Sequence, residues 1–199
     1  MYRAVNILFS FLFALVAISC SCQRCDESKI VHVSSRMAEN AQAFIEAYVG
    51  PEFYLKYVSI DKLKTEYHSP NYLLVYNISI PDKPFFRGEI KFYMDSSGSV
   101  NTKMPVTGIP NCLEKPENCL FNIEENEARA IAKANNLPEG LKDWMLSILW
   151  NEAYDKYVWY ILSTTYESEG SNGFIGEGEY IIIDIGSGEV IEKNKWKVR

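Results

Sequence analysis

The chain has 199 residues, with 20 Lys+Arg against 26 Asp+Glu and a formal net charge of −6, a length that suits one ordinary domain or two small ones. Its 47% hydrophobic and 23% charged content is that of a globular protein and excludes a disordered, collagen-like or coiled-coil chain. The acidic balance offers no basic footprint for nucleic acid. Two histidines, His32 and His68, leave little material for a metal site or a catalytic triad.

The chain opens with Arg3 ahead of an apolar stretch from Ala4 to Ile18, closed by small residues. At roughly 1.5 Å per residue this stretch is too short to cross a bilayer core of about 30 Å comfortably. A secretory signal peptide over residues 1–19 is therefore expected, an uncleaved anchor being the alternative. Ala17-Ile18-Ser19-Cys20 resembles the lipobox of bacterial lipoproteins. That resemblance implies cleavage before Cys20, a lipid on Cys20, and a tether over residues 20–31. The family usually has Leu where Ala17 stands. Cys22 is a second candidate, and an ordinary signal cut near Ser19 would give a freely secreted protein. Removing residues 1–19 takes away one charge, Arg3, and moves the net charge from −6 to −7.

Helical spacing follows at Ser34–Val49, where Met37, Ala38, Ala41, Phe44, Ile45 and Tyr48 recur on one side. Ser34 or Ser35 can cap this helix, and Gly50-Pro51 ends it. Two strands are expected next, Tyr54–Tyr67 and Tyr72–Ile80, joined by a turn at His68–Asn71. Gly88–Val100 reads as a hairpin in which Ile90, Phe92 and Met94 alternate with Glu89, Lys91 and Tyr93, the pattern of a sheet with one wet face.

A linker is expected from 105 to 122, stiffened by Pro105, Pro110 and Pro116. The chain has five cysteines. If Cys20 is lipidated, an even number remains, and Cys112 and Cys119 bracket a turn-forming LEKPEN, so a local disulfide between them is the expected pairing. Cys22-x-x-Cys25 fits a redox or metal pair by spacing, but lies in the tether without a strand–helix context or a second pair of ligands.

The second half repeats the order. Glu124–Asn136 carries Ala128, Ile131, Ala132 and Asn135 along one face, with Asn122 as the expected cap and Pro138 as the stop. Strands follow at Trp144–Trp150 and Tyr157–Tyr166. Gly170–Gly178 (GSNGFIGEG) is read as a flexible hairpin loop with Phe174 and Ile175 at its tip, a possible binding loop. The hairpin Gly178–Val190 leads into a closing strand rich in Lys and Glu, consistent with an edge kept soluble by charge. Gly98 and Gly188, Val100 and Val190, and Ala38 and Ala128 each lie 90 residues apart, which points to internal duplication. The expected fold is α+β: two tandem α-β-β-β(-β) units, residues 32–104 and 123–199, each a helix packed on one face of an antiparallel sheet.

Glu127-Ala128-x-x-Ile131-Ala132, then Val158-Trp159-Tyr160, then Asp184-Ile185-Gly186-Ser187-Gly188-Glu189-Val190 resemble the PepSY-like family. The first half keeps Ala38, Ala41 and the turn Asp95–Val100, while Tyr72–Ile80 replaces the tryptophan strand. A cystatin-like or beta-lactamase-inhibitor-like arrangement would give a similar pattern. The PepSY-like resemblance implies an envelope or secreted protein that inhibits or regulates a peptidase.

Asp95 and Asp184 are the most tempting carboxylates, but turns explain both, since Asp accepts backbone N–H bonds there. The glycine run lacks the strand-before, helix-after context of a phosphate loop. Aromatic residues make up 14% of the chain, and strand alternation sends some tyrosines to the sheet face away from the helices, a surface that can bind protein, peptide or sugar. The expectation is a membrane-anchored lipoprotein of the bacterial envelope, binding a protein or peptide, with no catalytic residues, metal or cofactor. An envelope hydrolase with a dispersed carboxylate site, or a structural accessory of an envelope complex, is the alternative.

Overall fold

The computed structural model describes residues 31–170 and 173–198; the expected signal peptide, Cys20, Cys22 and Cys25 lie outside them. Helix α1 (Ser35–Val49) starts at Ser34, whose side chain accepts a 3.3 Å hydrogen bond from the Met37 amide. Its buried face is Met37, Ala41, Ile45 and Val49, the i, i+4 repeat that stacks side chains along one side. Gly50 then takes φ +82°, a value that glycine adopts without a Cβ clash.

Beyond Gly50 the expected strand does not begin. Pro51–Tyr57 forms a short helix, α2, with Pro51 in its first turn, Glu52 near its start and Lys56 near its end. Proline fits a first helical turn, and the two charges complement the helix dipole. Phe53 and Tyr57 also meet one turn apart, ring centroids 5.0 Å apart, and these local terms outweigh the aromatic residues' taste for strand. Only Val58–Ile60 (β1) and Glu66–His68 (β2) are extended. Both pair antiparallel with the same side of β3 (Asn71–Ile78), so they form one edge interrupted at residues 61–65. Thr65, only 1% exposed, mends the gap: its hydroxyl donates to the Asp61 carbonyl and accepts from the Val75 amide. On the other side β3 pairs along its whole length with β4 (Gly88–Asp95).

Residues 105–122, the expected linker, pack into the fold. Thr107 exchanges backbone hydrogen bonds with Lys91 of β4, and Ile109, Asn118 and Phe121 are buried. Cys112 and Cys119 are joined as a disulfide with Cα atoms 5.5 Å apart, closed over the 3₁₀ turn Pro116–Cys119. Leu113 within the loop hydrogen-bonds through its amide to the Tyr48 carbonyl of α1.

Helix α3 (Glu125–Ala134) is capped by Glu124 rather than Asn122: Glu124 and Glu127 form a reciprocal capping box. Asn122 instead donates to the Gly186 carbonyl at 3.3 Å. A four-stranded antiparallel sheet follows in sequence order: β5 (Met145–Asn151), β6 (Lys156–Gly170), β7 (Gly173–Asp184) and β8 (Val190–Val198). Trp159 of β6 donates its indole N–H to the Ile123 carbonyl at 2.8 Å, fixing the start of α3 over the sheet.

The described residues thus form a mixed α+β fold with three helices and two antiparallel sheets. Residues 31–199 form one compact unit, and its buried side chains make one continuous cluster drawn from both sheets and from α1 and α3. At the seam, the fully buried Phe86 ring lies 4.0 Å from Phe121 and 5.1 Å from Tyr157. The Tyr157 hydroxyl accepts from the Glu89 amide and donates to the Gly108 carbonyl, both at 3.0 Å. Gly108 is required there: a Cβ would stand 1.9 Å from the Glu89 carbonyl oxygen.

Candidate functional site

Strand pairing fixes what the outer face of the β5–β8 sheet presents. Cross-strand partners share a face, so Met145, Leu162, Tyr180 and Asn194 form one row and Ser147, Tyr160, Ile182 and Glu192 the next. The alternate residues Trp159, Ile161, Ile181 and Ile183 turn into the core. On the outer face, Val158 and Ile182 are nevertheless 1% and 5% exposed. Tyr154, from the turn between β5 and β6, folds back over this end of the face and donates its hydroxyl to Glu192 at 3.0 Å.

At the opposite end the long β6–β7 hairpin forms a wall. Gly170–Gly178, expected as a loop, is strand at its described positions: Phe174 pairs with Glu169, Ile175 with Ser168, Gly176 with Glu167 and Gly178 with Thr164. The glycines have a packing role. A Cβ on Gly176 would stand 2.6 Å from the Phe174 ring and 3.0 Å from Trp196, and one on Gly178 would stand 1.9 Å from the Ser163 carbonyl oxygen and 2.8 Å from the Trp196 indole nitrogen. Missing side chains therefore let the Trp196 indole settle across β7, where its N–H donates to the Ser163 carbonyl at 3.0 Å.

Between these ends lies a trough of about 450 Å³ lined chiefly by Met145, Tyr160, Leu162, Phe174, Trp196 and Val198. Met145 and Phe174 are 56% and 51% exposed, and it is their grouping in one trough, rather than exposure alone, that marks this face. Phe174 thus belongs to the site; Ile175, its neighbour on the strand, points to the other face. The Lys142–Glu167 ion pair, 2.8 Å, sits on the rim.

Beside the trough, on the same outer face and in the row of Tyr160 and Ile182, stands Glu192. Its Oε1 accepts from the Tyr180 hydroxyl at 2.5 Å and from the Asn194 amide at 2.8 Å, and its Oε2 accepts from Tyr154. These neutral donors, Tyr180 foremost, hold the carboxyl below its ordinary range, because hydrogen bonds to the charged form favour it. Among the described residues no lysine or arginine forms an ion pair with it, whereas Lys193 and Lys197 of the same strand pair with Glu179 and Glu177. Tyr160 stacks on Tyr180 with centroids 5.2 Å apart, placing two aromatic rings beside the carboxylate. Sequence reasoning saw β8 only as a charged edge. Its bulge, which leaves Ile191 unpaired between Val190 and Glu192, hides the fact that Glu192 shares a face with the tyrosines.

The other singled-out residues lie elsewhere. Asp95 Oδ1 accepts from the Ser97 hydroxyl and amide and the Ser99 amide; Asp184 Oδ1 accepts from the Gly186 and Ser187 amides, and its Oδ2 meets Lys156 at 2.7 Å. Both are turn anchors. His68 meets only Glu66, on an exposed strand, and Cys112 and Cys119 are bonded to each other. A recess of about 570 Å³ lies at the α1–α2 joint, lined by Val49, Phe53, Tyr57 and Leu113. Among the described residues no three His, Cys, Asp or Glu side chains come together as a metal site, and no helix is long and apolar enough to cross a membrane. A scan against protein-family models finds no match to this chain, and a search of curated proteins finds none either.

Proposed function

We propose that the protein is a lipoprotein of the bacterial cell envelope, built of two tandem PepSY-like units and anchored through Cys20. In this reading it acts as a non-enzymatic binding module for a protein or peptide, such as a peptidase it inhibits or regulates. The duplication is supported by the shared order of helix, antiparallel strands and Asp-anchored turn. Gly98 and Gly188 take φ +83° and +77° at equivalent points of the two turns, and each donates its amide to the carbonyl of its own Asp, Asp95 or Asp184.

The observation that carries the binding reading is the trough: a contiguous aromatic and aliphatic surface on the wet face of a sheet, with few polar groups to fix orientation. Acid chemistry has less support. A hydrolase that uses a carboxyl group as general acid needs it raised towards neutrality, and the carboxyls with displaced acidity (Asp61, Glu89, Asp95, Asp184 and Glu192) are all held more acidic than usual.

The test is affinity capture from an envelope fraction with the native protein and with Leu162→Glu, which places a charge on the trough floor. A partner retained by the native protein and lost by a folded Leu162→Glu variant supports the reading; one retained equally by both removes the trough from it. Mass spectrometry of the mature N-terminus decides the anchor: a diacylated or triacylated Cys20 is expected, and an unmodified start at Ser21 or Gln23 defeats it.

A further inference from the structure

We propose that the outer face of the β5–β8 sheet selects a partner segment carrying a basic side chain, whose ammonium or guanidinium pairs with Glu192 beside the trough while its apolar neighbours lie in the trough on Met145, Leu162 and Phe174. This rests on the binding reading and adds the chemistry of the partner. Three observations carry it.

First, Glu192 is ionised and held by neutral donors only. A carboxylate has about four acceptor positions; Oε1 takes two bonds and Oε2 one, so Oε2 keeps a free lone pair. Three hydrogen bonds fix its direction without cancelling its charge. Such a group is preorganised for a cation, because the ordering of its side chain is already done.

Second, the surroundings favour a cation over a neutral donor. Tyr180 and Tyr154 reach the carboxylate through their hydroxyls and Tyr160 stacks on Tyr180, so an incoming side chain has aromatic surface for its stem next to the oxygens that take its charge. Ring faces attract cations, guanidinium more often than ammonium.

Third, the charge balance is one-sided. On the trough's rim Lys142 and Glu167 neutralise one another, while among the described residues neither Asp143 on the rim nor Glu192 beside it forms an ion pair. The deficit matches the whole chain's net charge of −6 and would steer a basic segment on approach. By contrast, Asp184, which lies on the same face opposite Val158, is closed off by Lys156.

The probe is a set of three N-acetylated, C-amidated pentapeptides, Leu-Val-Xaa-Val-Leu with Xaa as arginine, glutamine or glutamate, titrated against the full-length protein in nanodiscs and followed by tryptophan fluorescence. The arginine peptide is expected to bind about 3- to 5-fold more tightly than the glutamine peptide, the range of a partly exposed ion pair, and the glutamate peptide most weakly. Glu192→Gln removes the preference for arginine, Tyr154→Phe retains most of it, and rising salt shrinks it in the native protein, a control independent of any variant's folding. Equal binding of arginine and glutamine peptides, or a preference that survives in Glu192→Gln, overturns the proposal but leaves the binding reading standing. Absence of binding by all three overturns the proposal and counts against the trough as a binding surface.

Discussion

The two sheets share a plan and differ on their outer faces. Each half runs helix, antiparallel strands and an Asp-anchored turn, and each buries its inner face in the same core. The outer face of the first sheet is sealed by charge: Glu89 pairs with both Lys64 and Lys91, and Asn77, opposite Glu89, donates to Asp61. At the corresponding place the second sheet has Tyr160, Leu162, Tyr180 and one carboxylate without a cation. Among the described residues the first sheet's charges are paired, whereas the second sheet exposes apolar side chains beside an acid that no lysine or arginine pairs. The difference lies in side chains rather than backbone, so two structurally similar halves can have unlike roles.

That comparison breaks most readily at the core the halves share. Phe86→Ala removes a fully buried ring touching Phe121 and Tyr157 and is expected to cost about 4 kcal/mol in urea denaturation. All four tryptophans lie between residues 144 and 196, so fluorescence reports on the second half and far-ultraviolet circular dichroism on both. Coincident transitions are expected in the native protein and the variant; separated ones would make the halves independent. Replacing Cys112 and Cys119 together by serine frees the loop seated on α1 and is expected to lower stability by about 2–3 kcal/mol, read as a shift in the same urea midpoint. Tyr157→Phe leaves the seam packed but strips the hydroxyl bonded to Glu89 and Gly108, for a loss of about 1–2 kcal/mol.

The smallest expected effect compares the two turns directly. Burial raises the Asp184 carboxyl's pKa, but Lys156 and the Ser187 and Gly186 amides outweigh it and leave the group below its ordinary value of 3.8. A pKa lowered by folding contributes stability that is present above the unfolded value and lost as pH falls through the folded one. Asp184→Asn is therefore expected to destabilise at neutral pH, with the gap to the native protein closing as the solution is acidified below the usual aspartate range. Asp95 is lowered too, chiefly by the Ser97 hydroxyl, but among the described residues it forms no ion pair with a lysine, unlike Asp184. Asp95→Asn should show the same closing gap with a smaller amplitude, measured by thermal melts across pH.

Much of the architecture was legible because it follows from periodicity. The 3.6-residue pattern of Ser34–Val49 and the alternation of Gly88–Asp95 each commit a face to the core, and both elements stand within a residue or two of expectation. Residues 51–57 misled because aromatic content argues for strand, while Pro51 and the Phe53–Tyr57 contact argue for helix. GSNGFIGEG misled for a different reason. Glycine signals a loop when read alone, but Gly176 and Gly178 answer to Trp196, twenty and eighteen residues further on, a contact no local window contains. Phe174 was visible as an apolar residue without local cover. Glu192 was not, because the bulge at Ile191 changes which face it occupies.

The seam around Tyr157 also governs how this gene can be divided. A boundary placed anywhere in 105–122 separates Phe86 and the Glu89 amide from the Tyr157 ring and hydroxyl that complete them. Neither half is then a transferable cassette, because each would carry an open patch of core that the other was made to close. Growth of the chain is easier at the exposed turns, such as Ser96–Ser97 or Glu152–Ala153, where added residues would meet solvent. The two halves are in this way obligate companions, each closing the other's core, and are inherited only as a whole.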